Sequence, residues 1–463
     1  CIRDRTWTGP APIVLRGDVI VPAGTTLTID PGTTIHAQFL TDKTYGGLDP
    51  SRIEIIVEGV LESNGAAGNE VIWDSSRVGS GALKGDWYGI RYRDTTTDEL
   101  SIIQSSEIGH GVNCLKLEDA APDVLDSTIY NCSQNGISGD SGTLSKLLWM
   151  LDGNSILNND GNGVDVTGGT AVEVISASIT GNGGNGLDIN ASPHLVTVTD
   201  ATVSNNGGSG LYISSGSTGF NLLDSTIQNN GMDGVNVTQG GTEIRMERLL
   251  VTGNAQEGIE VGGGVEVILL KSTITGNGRG LRIGSPRLVG AYNTISGNTG
   301  DMIHGYEGTA IEYHAGIGSP AVIGMSDIDN VVDYEVYLTT TRALNARRNY
   351  WGVDTTLNMN GAGFPADLVE FYDIHDNRAS GLIDYDNWAA ASVAGSAPGD
   401  LAAHITWPAS GSSFDVHSMI VTGVAYAADG IDRVEVCVRE QGIDPVCGDG
   451  GGETPYGVVT GME

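Results

Sequence analysis

Basic residues are the first shortage in this chain. It holds 23 Lys and Arg against 57 Asp and Glu, a formal net charge of −34 over 463 residues. Nucleic acid and anionic membrane are thereby excluded as partners, because their phosphates would be repelled. Divalent cations or cationic surfaces suit such a coat. Aromatic residues make up only 6%, so the core must come mostly from Ile, Leu and Val, which fits a narrow structure. No run of 18 apolar residues occurs, so no transmembrane helix is predicted. No signal peptide is visible, and the chain reads as a mature one. Cysteine is sparse, with five copies whose spacing matches no metal site. Cys437 and Cys447 flank a Gly-Ile-Asp-Pro turn, which predicts a hairpin disulfide, and Cys114 and Cys132 fall on neighbouring repeats, a second pairing. Both pairings point to an oxidising, extracytoplasmic compartment.

Glycine is plentiful, with 69 residues spread through the chain. Each would destabilise a helix by roughly 1 kcal/mol, which argues against a helical repeat. A repeat is nonetheless plain. Asn159, Asn182, Asn206, Asn230, Asn254, Asn277 and Asn298 recur every 21 to 24 residues. Each follows an apolar residue by three positions, from Ile156 to Ile295. Most precede a glycine and an apolar–x–apolar triplet, as in Gly163-Val-Asp-Val166 and Gly186-Leu-Asp-Ile189. Short alternating runs are half-buried strands. One coil cannot bury its own apolar face, but stacked coils bury a continuous column. The expected fold is all-β: a right-handed parallel β-helix solenoid of about 13 coils, roughly 60 Å long at strand spacing. The asparagines are expected at tight corners, in left-handed conformation, forming a ladder of stacked amides.

Four boundaries follow. Residues 1–12 read as an N-terminal cap, because open strand edges need cover. Residues 13–388 read as the helix, closed by an aromatic segment at 342–388 that carries Tyr350, Trp351, Phe364, Phe371, Tyr372, Tyr385 and Trp388. Residues 389–400 are a linker of small residues. From 401 to 463 the alternation changes into strands separated by turns.

The stretch VPAGTTLTIDPGTTI at 21–35 resembles the opening coil of secreted bacterial right-handed β-helix (pectin-lyase-like) surface proteins. The resemblance continues through GDWYGIRY at 85–92 and the Asn-Gly coils, and ends at NYWGVDTT (349–356) with LIDYDNW (382–388). It covers about 1–390 and implies fold more than activity. Residues 401–463 resemble a bacterial immunoglobulin-like module, a partial β-sandwich, since about 100 residues are needed for a whole one. More chain is expected beyond residue 463. Cys1 is left over: it either resembles the lipidated cysteine of a bacterial lipoprotein or marks a processing boundary with a partner elsewhere.

Candidate chemistry is thinner. The middle residues of the triplets make one outward row: Asp165, Asp188, Tyr212, Asn236, Glu260 and Arg282. Asp165 and Asp188 would stack one rung apart, a carboxylate pair suited to a retaining glycosidase or to calcium-assisted elimination. The structural alternative is a solvated face. His110, in a Gly-His-Gly tripeptide, reads as a corner residue. Two acidic groups offer oxygen ligands for Ca²⁺: Asp327, Asp329 and Asp333, and a second set of Asp373, Asp376, Asp384 and Asp386. These observations lead to the expectation of a non-enzymatic, extracellular or cell-surface structural protein. It would be a surface-layer, filament or adhesin component that associates with itself, other surface proteins or glycans. The alternative is a carbohydrate-binding or polysaccharide-degrading β-helix, a lyase or glycosidase acting through Asp165 and Asp188.

Overall fold

The computed structural model describes residues 4–393 apart from short stretches at 78–80, 94–99, 142–148, 169–170, 191–194, 215–218, 239–243, 263–266, 285–287, 299–310, 314–320, 325 and 330–333. Beyond them it describes strands at 401–407, 422–427, 433–435 and 458–460.

The chain is a right-handed parallel β-helix. Each coil contributes one strand to each of three parallel sheets, of fifteen, thirteen and fourteen strands. The first sheet starts at Arg5–Trp7, the second at Ile13–Leu15 and the third at Val19–Val21. Pairing is in strict register. On the second sheet Ile156 stands over Ile179, then Val203, Ile227, Val251, Ile274 and Ile295. Inward residues of all three sheets merge into one column of Ile, Leu and Val that is nearly devoid of solvent. Alternation of period two turns the intervening polar residues outward. The expected cap at 1–12 is corrected in part: Arg5–Trp7 already pairs with Thr26–Ile29 as a strand of the first sheet.

The asparagine row is a hydrogen-bonded ladder. The amide Nδ2 of Asn159 donates to Oδ1 of Asn182 at 2.9 Å, and the same link repeats along the row to Asn298 at 2.9–3.0 Å. Each Oδ1 also accepts the backbone N–H of the preceding asparagine. Burial makes these bonds matter, since an unpaired polar group here would keep its full desolvation penalty. One detail differs from expectation. The left-handed residue is not the ladder asparagine but the one before it: Asn158, Asn205 and Asn229, or Gly181, Gly253, Gly276 and Gly297. The ladder amide must point inward along the axis, so the residue ahead of it makes the turn. One coil earlier Cys132 takes the ladder position. Its N–H donates to Asn159 Oδ1 at 2.9 Å, and its sulfur is bonded to Cys114.

At the C-terminal end the fold departs from pure β structure. Residues Gly352–Ala362 form an α-helix. Trp351, Met359, Phe371 and Tyr385 continue the central column, with Trp351 edge-on to Phe371 and Tyr385 edge-on to Phe364. The described strands beyond 400 form two antiparallel pairs, Leu401–Trp407 with Thr422–Ala427 and Arg433–Glu435 with Val458–Thr460. A complete sandwich is not among them. Cys1, Cys437 and Cys447 lie outside the described residues. Among the described residues, no helix is long and apolar enough to cross a membrane.

Candidate functional site

The third sheet carries the chemistry. Its outward register runs Arg91, Lys116, Ser138, Asp165, Asp188, Tyr212, Asn236, Glu260, Arg282. Its last described members are Tyr337 and Tyr372, whose rings stack at 4.3 Å. The row expected from the triplets thus stands as one line, one residue per rung.

A second row lies under it, in the turn two residues before each strand's first inward side chain. Asn135, Asn162 and Asn185 occupy it in successive coils. Asn135 Oδ1 accepts the N–H of Asn162 at 2.8 Å, Asn162 Oδ1 that of Asn185 at 2.7 Å, and Asn185 Oδ1 that of Ser209 at 2.8 Å. Their free amide hydrogens reach up to the acids. Asn135 donates to Asp165 Oδ2 at 2.7 Å, while Asn185 and Asn162 donate to Asp188 Oδ2 at 2.8 and 3.2 Å.

Asp165 and Asp188 are direct register partners, so their backbones lie one strand spacing apart, about 4.8 Å. Burial raises both carboxyls above the ordinary range. Their surroundings then divide them. Hydrogen bonds from Asn135 and Asn162 and the charge of Lys116 pull Asp165 back toward ionisation. Asp188 is 8% exposed, its Oδ1 has no hydrogen-bond partner, and the charge of Asp165 pushes it further up. Hydrogen bonds from Asn185 and Asn162 pull Asp188 back as well, so both acids stay raised and each is held by amides of the turn row.

Two rungs further on, the turn row changes from amides to charges. Asp233 and Glu257 take the places of the asparagines, and Arg279 follows. Asp233 and Glu257 are almost wholly buried. Asn236 Nδ2 donates to Asp233 Oδ2 at 2.6 Å and to Glu260 Oε2 at 3.1 Å, and the Glu257 N–H donates to Asp233 Oδ1 at 3.0 Å. Arg279 pairs with Glu257 and Arg282 with Glu260. Burial, then a hydrogen bond to the Glu257 carboxyl, pushes Asp233 up to about 7. Sequence reasoning named Glu260 and missed Asp233 and Glu257. Aligning the coils on their inward residues would have exposed them.

Asp233, Glu257 and Glu260 bring three carboxylate oxygens within 4.8 Å of one another, the one such trio among the described residues. Among the described residues, the other members of the two expected calcium sets form no such trio. Asp327 is engaged by Ser392 and by the Val393 N–H, and burial and Asp354 raise Asp329. Asp333 lies outside the described residues. Asp373 accepts the N–H groups of His375 and Ile383, Asp376 accepts that of Asp373, and Asp386 that of Asn387. Asp384 pairs with Arg347 at 2.8 Å. These acids tie loops to the frame instead of converging. His110 is a left-handed corner residue on the second sheet, its Nδ1 2.7 Å from Asp74 Oδ1 and its ring edge-on to Tyr130.

Residues 84–248 match the family model of the right-handed β-helix region. No curated protein matches the sequence. Among solved structures, the periplasmic alginate epimerase AlgG is similar at 12% identity with a TM-score of 0.50, covering 75% of this chain and 80% of that one. A point mutant of it is similar at 13% identity with the same TM-score and coverage. The pectate lyase Pel9A is matched at 13% identity with a TM-score of 0.22, too low to bear on the fold. At such identity the likeness establishes architecture alone. It still corrects the expectation of a non-enzymatic structural protein or adhesin, because the solved structure that shares this solenoid over three quarters of the chain is an enzyme's.

Proposed function

We propose that this protein is a polysaccharide-modifying enzyme working outside the cytoplasm, at the cell surface or beyond it, on a glycan laid along the outward face of the third sheet. The observation that carries the reading is the pair Asp165 and Asp188, one rung apart on the outward row of the third sheet, both raised by burial. Two carboxyls about 5–5.5 Å apart fit a retaining glycoside hydrolysis. The disulfide between Cys114 and Cys132 supports an oxidising compartment.

The roles follow from the surroundings. Asp188, protonated, gives its proton to the glycosidic oxygen as the bond to the anomeric carbon breaks. Asp165, ionised, attacks that carbon and forms a glycosyl ester. Water then adds to the anomeric carbon, Asp188 takes its proton, and Asp165 leaves as a carboxylate. Tyr212, on the next rung, offers its ring to a sugar face.

The test is a polysaccharide panel assayed for new reducing ends, with Asp165→Asn and Asp188→Asn as controls. Each variant should lose activity on the order of 10³-fold while its melting curve stays in place. Full activity in both variants would refute the assignment.

A further inference from the structure

We infer that the substrate is an uncharged glycan, not a uronan. This deepens the proposed reading and rests on the third sheet's being the binding face. From Asp165 to Arg282 that face and the turn row beneath it hold the carboxyls Asp165, Asp188, Asp233, Glu257 and Glu260. The guanidiniums on the same stretch are Arg279 and Arg282, and both are ion-paired, to Glu257 and Glu260. Toward the other end the pattern repeats. Arg91 sits between Glu54 at 3.5 Å and Glu118 at 2.8 Å, and Lys116 favours the ionised form of Asp165. Each of these guanidiniums is thus occupied by an acid of the same face.

A uronan brings a carboxylate on every sugar ring. Laid along this stretch it would set those charges against a row of acids, inside a chain of net charge −34. Like charges a few ångströms apart repel, and low-dielectric walls strengthen the effect. Elimination or epimerisation at C5 of a uronic acid also needs a cation or a proton donor on the sugar's carboxylate, so that the carbanion formed at C5 is stabilised. The guanidiniums that would serve are already neutralised. An uncharged sugar lacks that carboxylate, has no acidified C5–H, and can be cut at its glycosidic bond only by proton transfer and displacement. That is the chemistry two carboxyls supply. Tyr212, between the two acidic centres, provides a ring face for hydroxyl-bearing sugars.

The experiment uses the full chain. The Asp165→Asn protein is run in affinity electrophoresis through gels holding a neutral polymer (β-glucan, xylan or mannan) or a uronan (alginate or polygalacturonate). Each is tested at low and high salt, with Ca²⁺ and with chelator. The substitution removes one negative charge, so it biases the test toward the uronan. Wild-type protein is assayed in parallel for reducing ends and for the ultraviolet absorbance of unsaturated products. The expected result is retardation by a neutral polymer, changing less than about twofold with salt, with reducing ends released and no unsaturated product. Retardation by a uronan, with or without Ca²⁺, overturns the inference. If that uronan is then cut by wild type and not by the Asp165 and Asp188 variants, the enzymatic reading stands and the substrate class alone is wrong. If no polymer is bound and none is cut, both fall.

Discussion

Replacing Asp233 by Asn should stabilise the protein far more in mild alkali than in mild acid. Asp233 is 1% exposed, and burial with the adjacent Glu257 carboxyl holds it near pH 7 against an ordinary 3.8. The folded state therefore binds a proton more tightly than the unfolded chain does. A raised carboxyl costs stability as pH climbs from the unfolded value to the folded one. The cost is absent below about pH 4 and complete above about pH 7. Three pH units correspond to about 4 kcal/mol, a ceiling because Arg279 lies against Glu257 and its charge offsets part of the repulsion. Asparagine keeps the acceptor for the Glu257 N–H; Asn236 loses Asp233 Oδ2 as acceptor and retains Glu260, a loss that trims the gain equally at every pH. Asparagine also restores the residue that earlier coils use at this place. Urea unfolding of both proteins at about pH 5 and about pH 8 reads the effect. The variant should gain on the order of 1–3 kcal/mol relative to wild type between those conditions. Parallel behaviour of the two proteins would show that Asp233 is ionised throughout, and the argument would be wrong.

Three further outcomes are expected. Asn206→Ala removes the acceptor for both the N–H and the side-chain amide of Asn182; the loss should be about 2–4 kcal/mol in urea unfolding, with faster amide exchange confined to nearby coils. Breaking the disulfide with Cys114→Ala and Cys132→Ser should cost about 3 kcal/mol, whereas Cys114→Ala with Cys132→Asn should recover part of it, because the new amide can donate to Asn159 as its successors do; thermal melts of the two double variants compare them directly. The pH–rate profile of hydrolysis should be bell-shaped, rising as Asp165 ionises and falling as Asp188 loses its proton, with both limbs above the ordinary carboxyl range; Asp188→Asn should abolish the falling limb in whatever activity remains.

How much of this was legible depended on repetition. The inward column recurs in coil after coil and the asparagine ladder through Asn159 to Asn298, so each position was written several times over. The left-handed residue ahead of each ladder asparagine was harder to place, since Asn and Gly alternate there and both suit the conformation. The helix at 352–362 was invisible: Gly352, Thr355, Thr356, Asn358 and Gly361 are weak helix formers, and burial of Met359 beside Trp351 overrides their preference. Asp233 and Glu257 passed as variation, because a substitution within a repeat does not announce that a buried amide has become a buried acid. The expected structural role failed for a general reason: a solenoid says how residues are spaced, and activity belongs to the site that the spacing carries.

The one-strand-per-sheet coil has a mechanical corollary. Inter-strand bonds run along the solenoid axis, so a pull on the two ends loads them in tension a rung at a time, not all together in shear. Force spectroscopy would then record a staircase. Among the coils of the asparagine ladder each step would release one turn of 21 to 24 residues, about 80 Å of slack chain at full extension. The turn spanning Cys114 and Cys132 is the exception, since its covalent tie shortens that step until the bond is reduced.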